Sequence, residues 1–105
     1  MIRCIKFRAY EKNTLQGFAD LELTRVGIII RDCTWHRSGD GREWVGLPAR
    51  SYQDEDGVER WQPIVGFARD AHQAREQFYE LALEAIHAFV DEQEREAEAR
   101  EAEAI

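Results

Sequence analysis

Glu43-Trp44-Val45-Gly46-Leu47-Pro48-Ala49-Arg50 and Val58-Glu59-Arg60-Trp61-Gln62-Pro63-Ile64-Val65, separated by Ser51-Tyr52-Gln53-Asp54-Glu55-Asp56-Gly57, decide the fold class of this 105-residue chain. Both outer pieces mix β-branched and aromatic residues and read as strands, with an acidic, flexible loop from Ala49 to Gly57 between them. Each carries one proline near its end. Proline has no N–H to donate to a ladder, so these strands belong at a sheet edge or stop there. The arrangement points to a small β-rich binding module rather than to an enzyme.

Towards the N-terminus the strand pattern continues. Ile2 to Tyr10 alternates with period two, Arg3, Ile5, Phe7 and Ala9 against Ile2, Cys4, Lys6, Arg8 and Tyr10. Leu15 to Leu23 sets a dry face (Ala19, Leu21, Leu23) against a wet one (Phe18, Asp20, Glu22). Val26 to His36 is the strongest strand signal and is expected to be central, and Ser38-Gly39-Asp40-Gly41 supplies the reversal into Arg42 to Leu47.

Towards the C-terminus the period changes to that of a helix. Asp70, three residues before Gln73, has the spacing of a capping box. Two apolar stripes follow: Ala71, Ala74, Phe78, Leu81, Ala82, Ala85 and Phe89, and beside them Tyr79, Leu83, Ile86 and Val90. One stripe is expected on the sheet and the other on a second subunit, unless the small domain wraps both stripes in its own sheet. The predicted fold is α+β: an antiparallel sheet of four to five strands followed by one long C-terminal helix (β-β-β-β-β-α). Residues 1–90 form a single domain, and residues 91–105 a Glu/Ala-rich helical extension or frayed tail.

Composition excludes several classes. Hydrophobic residues make up 44% and charged residues 33%, and no apolar run approaches the roughly 18 residues of a membrane span. The start at Met1-Ile2-Arg3-Cys4 lacks the apolar segment of a secretory signal, and Cys4 and Cys33 suit a reducing compartment, so the cytoplasm is expected. The formal charge of −7 is segregated. Residues 1–70 balance 11 Lys+Arg against 11 Asp+Glu, whereas residues 71–105 carry 3 against 10. The first part is therefore free to be locally positive.

With Ile5, Phe7, Leu21, Leu23, Ile28, Ile30, Val45 and Leu47 placed under the helix, the opposite face holds Lys6, Arg8, Tyr10, Arg31, Trp35, Arg37, Arg42 and Trp44. Aromatic rings stack on unpaired bases while guanidinium groups meet phosphates. The same residues also read as a solvent face whose tryptophans cover a dimer contact. Cys33 and His36 have a metal-like spacing, but alternation along one strand points them to opposite faces, which also defeats a thiol–imidazole pair. Asp54, Glu55, Asp56 and Glu59 lack the spacing of a calcium loop, and Gly39-Asp40-Gly41 precedes no helix that would cradle phosphate. No metal, cofactor or catalytic constellation is expected.

Val45-Gly46-Leu47-Pro48-Ala49-Arg50, Asp56-Gly57 and Pro63-Ile64 resemble the motifs of the stage V sporulation protein G (SpoVG) family of small bacterial proteins. The resemblance implies an antiparallel sheet with a helix, a homodimer joined through strands, and DNA or RNA binding in gene regulation. The family's basic patch after the proline falls on Arg50, while its second basic residue is Ser51 here and the loop and helix are more acidic. The resulting expectation is a regulatory homodimer binding single-stranded DNA or RNA through Arg31, Trp35, Arg37, Arg42, Trp44 and Arg50. Its rival is a protein-interaction or assembly module that binds no nucleic acid, in which the tryptophans bury against a partner.

Overall fold

Alternating side chains and Gly-containing turns build a four-stranded antiparallel sheet in the computed structural model, which describes residues 1–104. Its strands are β1 (Ile2–Lys12), β2 (Leu15–Leu23), β3 (Ile28–Arg37) and β4 (Glu43–Gly46), in the spatial order β1-β2-β3-β4. β5 (Ala49–Gln53) and β6 (Glu59–Pro63) form a separate two-stranded hairpin, and α1 (His72–Ala104) follows. The fold is therefore α+β with a single C-terminal helix. β3 is internal, as its β-branched run predicts.

The reversal between β3 and β4 uses Ser38-Gly39-Asp40-Gly41. The Gly41 amide donates to the Ser38 carbonyl at 3.0 Å, and Gly41 takes φ 89°, a value that L side chains rarely adopt. The segment expected as a flexible loop after Pro48 is instead strand β5. Its register, Ala49↔Pro63 through Gln53↔Glu59, is pinned by Asp54. That carboxylate accepts the Asp56 and Val58 amides at 3.0 Å each and the Arg60 guanidinium at 2.9 Å. Both strands of the hairpin are exposed along their whole length.

The core lies between the four-stranded sheet and α1. Cys4, Ala19, Leu21, Ile30, Cys33, Trp35 and Val45 face Phe78, Ala82 and Ile86, which recur every fourth residue on one line of the helix. Tyr79, Leu83 and Val90 on one flank, and Ala85 and Phe89 on the other, pack against the same core. Both apolar stripes therefore touch the chain's own sheet, though the flanks stay only half-buried. The helix starts at His72, with the Ala71 carbonyl accepting from the Arg75 amide at 2.9 Å. Among the described residues the Asp70 side chain makes no capping hydrogen bond, so the expected capping box is not formed. The Glu/Ala-rich segment continues as helix to Ala104, with Arg95–Glu92 and Arg100–Glu96 pairs along its exposed surface.

Two β-bulges shift which residues face the helix. Opposite Leu21 and Asp20, β1 supplies Cys4, Ile5 and Lys6, so Cys4 and then Phe7 turn inward and Ile5 is 36% exposed. Between Leu21↔Ile30 and Ala19↔Cys33, β3 places Arg31 and Asp32 against Asp20 alone, with Asp32 at φ 59°. Asp20 sits opposite both bulges. It is 8% exposed, and its carboxylate accepts the Asp32 amide at 3.1 Å and the Arg31 guanidinium at 3.2 Å. These bonds satisfy a buried charge and the free N–H that the bulge would otherwise leave.

Candidate functional site

The face of the sheet away from α1 is built from alternate residues of all four strands. β1 contributes Lys6, Arg8 and Tyr10, β2 contributes Phe18 and Asp20, β3 contributes Arg31, Asp32, Thr34 and His36, the turn before β4 contributes Arg42, and β4 contributes Trp44; Asp20 and Asp32 line one hollow with Lys6, Arg8 and Phe18. Trp44 and His36 are cross-strand partners whose rings are parallel within 2° and 5.2 Å apart between centroids. The Arg42 guanidinium carbon lies 5.5 Å from the Trp44 ring centre. On the other side of the face, Arg8 stands 4.7 Å over Phe18, and Tyr10 is 6.1 Å from the same ring.

His36 is locked in place. Its Nδ1 and Nε2 each lie 3.0 Å from a threonine hydroxyl, those of Thr14 and Thr34 respectively. Partial burial lowers its pKa, so near neutral pH the ring is an uncharged flat plate beside Trp44. Gly46 opposite Thr34 is part of this arrangement, because a Cβ there would overlap the Thr34 hydroxyl. Among the described residues, Lys6, Arg8 and Arg42 pair with no carboxylate, whereas Arg31 shares its charge with Asp20.

The predicted set is divided by the bulges. Arg31, Arg42 and Trp44 lie on the open face as expected. Trp35 does not: it is 7% exposed and lies on the helix side, which corrects its assignment as a base-stacking residue. Counting outward from Ile30 places Trp35 outside, but the extra residue at Arg31-Asp32 reverses the parity beyond it. Trp35 meets Phe7 edge-on at 5.8 Å and His87 at 5.3 Å, and its indole N–H donates to Glu43 at 2.9 Å. Arg37 follows it to that side, stacking 5.1 Å over Trp35 and pairing with Glu43 at 3.2 Å. Arg50 stands on the separate hairpin, opposite Gln62.

Glu43 ties the sheet to the helix, with His87 Nε2 3.0 Å from both its carboxylate oxygens. Burial alone would raise its pKa. The Trp35 indole, His87 and Arg37 outweigh that and hold it below the usual carboxylate range.

Lys6, Arg8, Phe18 and His36 are the residues that the sequence-based site lacked. Lys6 and Arg8 had a signal, since they share the parity of Tyr10. His36 had one in its pairing with Trp44 across the hairpin. Cys33 is fully buried on the helix side while His36 is outside, so the two share no site. Among the described residues no group of three or more His, Cys, Asp or Glu side chains could hold a metal ion. Among the described residues no helix is long and apolar enough to cross a membrane. Compared with family models, curated proteins and solved structures, the chain matches none.

Proposed function

We propose that the open face of the four-stranded sheet binds single-stranded DNA or RNA, in a regulatory protein that acts as a homodimer. The observation that carries this reading is the pairing of aromatic rings with unpaired cations on a face that the helix leaves free. Bases stack on Trp44 and Phe18, and Lys6, Arg8 and Arg42 meet phosphates. The resemblance of Val45–Arg50, Asp56-Gly57 and Pro63-Ile64 to SpoVG-family motifs supports the same reading. The dimer is supported by the hairpin, because an isolated two-stranded sheet is marginal in water, and β6 and the residue that follows it expose Trp61 at 68% and Ile64 at 63%.

Anisotropy titration of a labelled single-stranded oligonucleotide at low salt tests the proposal. Trp44→Ala should weaken binding by about 1–3 kcal/mol, the worth of one stacked base. No binding at low salt, or none of that loss, removes the reading. A monomeric mass in solution refutes the homodimer separately.

The exposed hairpin also favours a second reading, a protein-interaction module in which Trp61 and Tyr52 meet another protein. In that case Trp61→Ser abolishes partner binding, while the open face shows no affinity for nucleic acid.

A further inference from the structure

On the helix side of the molecule a groove of about 370 Å³ runs between the base of the β5–β6 hairpin and the first turns of α1. Its walls are Leu47, Pro63, Val65, Phe67 and Tyr79, and Arg69, His72 and Arg75 also line it. Phe67 stands edge-on to Phe78 at 5.4 Å and to Tyr79 at 5.8 Å, so the aromatic wall is braced by the core. Among the described residues no carboxylate lines the groove. Among the described residues neither Arg69 nor Arg75 pairs with an acidic side chain.

These cations are not explained by stability. Basic groups at the start of a helix oppose its dipole, and the first turn here contains no acidic residue to offset them. In a helix segment as acidic as residues 71–105, Arg75 beside Arg69 leaves a local concentration of positive charge next to an apolar wall.

We propose that this groove binds a phosphate-bearing aromatic ligand of the nucleotide class, with the phosphate on Arg69 and Arg75 beside His72 and the base against Phe67, Tyr79 and Pro63. Two guanidinium forks and an imidazole offer more donors than a carboxylate can use, and match the oxygens of a phosphate. The volume lies at the small end of ligand sites, which suits a single nucleotide unit. A free mononucleotide and the 5′-terminal nucleotide of a strand present this same chemistry. The groove lies on the opposite side of the sheet from Trp44, so its occupancy does not depend on nucleic-acid binding at the open face.

Calorimetric and NMR titration of the full chain with adenosine monophosphate, adenosine, inorganic phosphate and a 5′-phosphorylated dinucleotide tests the site. Saturable shifts of the amides from Phe67 to Tyr79 are expected with a phosphorylated ligand, with adenosine and inorganic phosphate each at least tenfold weaker. Arg69→Gln combined with Arg75→Gln should weaken binding at least tenfold without changing the helical circular dichroism, whereas Trp44→Ala should leave it unchanged. Tighter binding of the mononucleotide assigns a free nucleotide, and tighter binding of the dinucleotide assigns a strand end. The proposal is overturned if neither phosphorylated ligand saturates, if inorganic phosphate binds as well as they do, or if the double variant binds undiminished.

Discussion

Replacing Arg8 and Arg42 together by glutamine should flatten the salt dependence of oligonucleotide binding by a calculable amount. Among the described residues three cations on the open face, Lys6, Arg8 and Arg42, form no ion pair, and Arg31 is offset by Asp20 at 3.2 Å. Each phosphate neutralised on a single strand contributes about −0.7 to the slope of log K against log salt, so three give about −2. Affinity should then fall about 20-fold between about 50 and 200 mM salt. The double variant retains one such contact, so its slope should be about −0.7 and its loss over that range about threefold. Trp44→Ala supplies the internal control, because stacking releases no counterions: it should lower affinity at every salt concentration and leave the slope alone. Anisotropy titrations of a labelled oligonucleotide at four or five salt concentrations measure all three proteins. A wild-type slope near zero, or an equal slope in the arginine double variant, refutes the assignment of these side chains to phosphate contacts.

Other consequences concern the scaffold. Gly17→Ala would place a Cβ 2.5 Å from Phe7 Cζ and 2.6 Å from the Arg8 carbonyl oxygen, and because the second is backbone the cost should be about 1–3 kcal/mol, read as a lowered thermal midpoint. Glu43→Ala strands the buried Trp35 indole N–H and should cost about 1–3 kcal/mol at neutral pH. Glu43→Gln tests the charge itself. The folded-state pKa of Glu43 is depressed, so the stability that the carboxylate contributes is present above its unfolded-state pKa and lost as pH falls through the folded one. The gap between wild type and Glu43→Gln in denaturant melts should therefore close in acid, and a gap independent of pH contradicts the assignment. Burial and the nearby Asp20 and Asp32 carboxylates push the Cys33 thiol up to about 12, and burial raises Cys4 as well. Neither should react with iodoacetamide at pH 8 until the chain is unfolded, and native labelling of Cys33 would contradict its burial.

Period-two alternation, the Ser38–Gly41 turn and the helical stripe around Phe78, Ala82 and Ile86 were readable from residue types alone, because each is a local pattern. Face assignment beyond the bulges was not. A bulge is set by a tertiary partner, here the Asp20 carboxylate bonded to the Asp32 amide, and alternation carries no mark of the inserted residue. Trp35 and Arg37 therefore exchange sides, and Cys4 replaces Ile5 in the core. Strand β5 was hidden for a related reason: Ser51-Tyr52-Gln53 has little strand signature, and its pairing depends on Asp54 organising a turn whose acidic composition reads as a solvated loop. The helix start moved because a sidechain spacing at Asp70 and Gln73 says nothing about the preceding Ala68–Ala71 turn, which brings the chain in at a different residue.

The long acidic helix on the back of the sheet makes the molecule electrically two-sided. From residue 71 onward the chain carries 3 basic against 10 acidic side chains, and at about 1.5 Å per residue the fully exposed stretch after Val90 reaches about 20 Å along the helix axis. The acidic stretch after Val90 repels a polyanion, so the charge layout acts as a compass needle that turns an encounter away from that end of the helix before any contact forms.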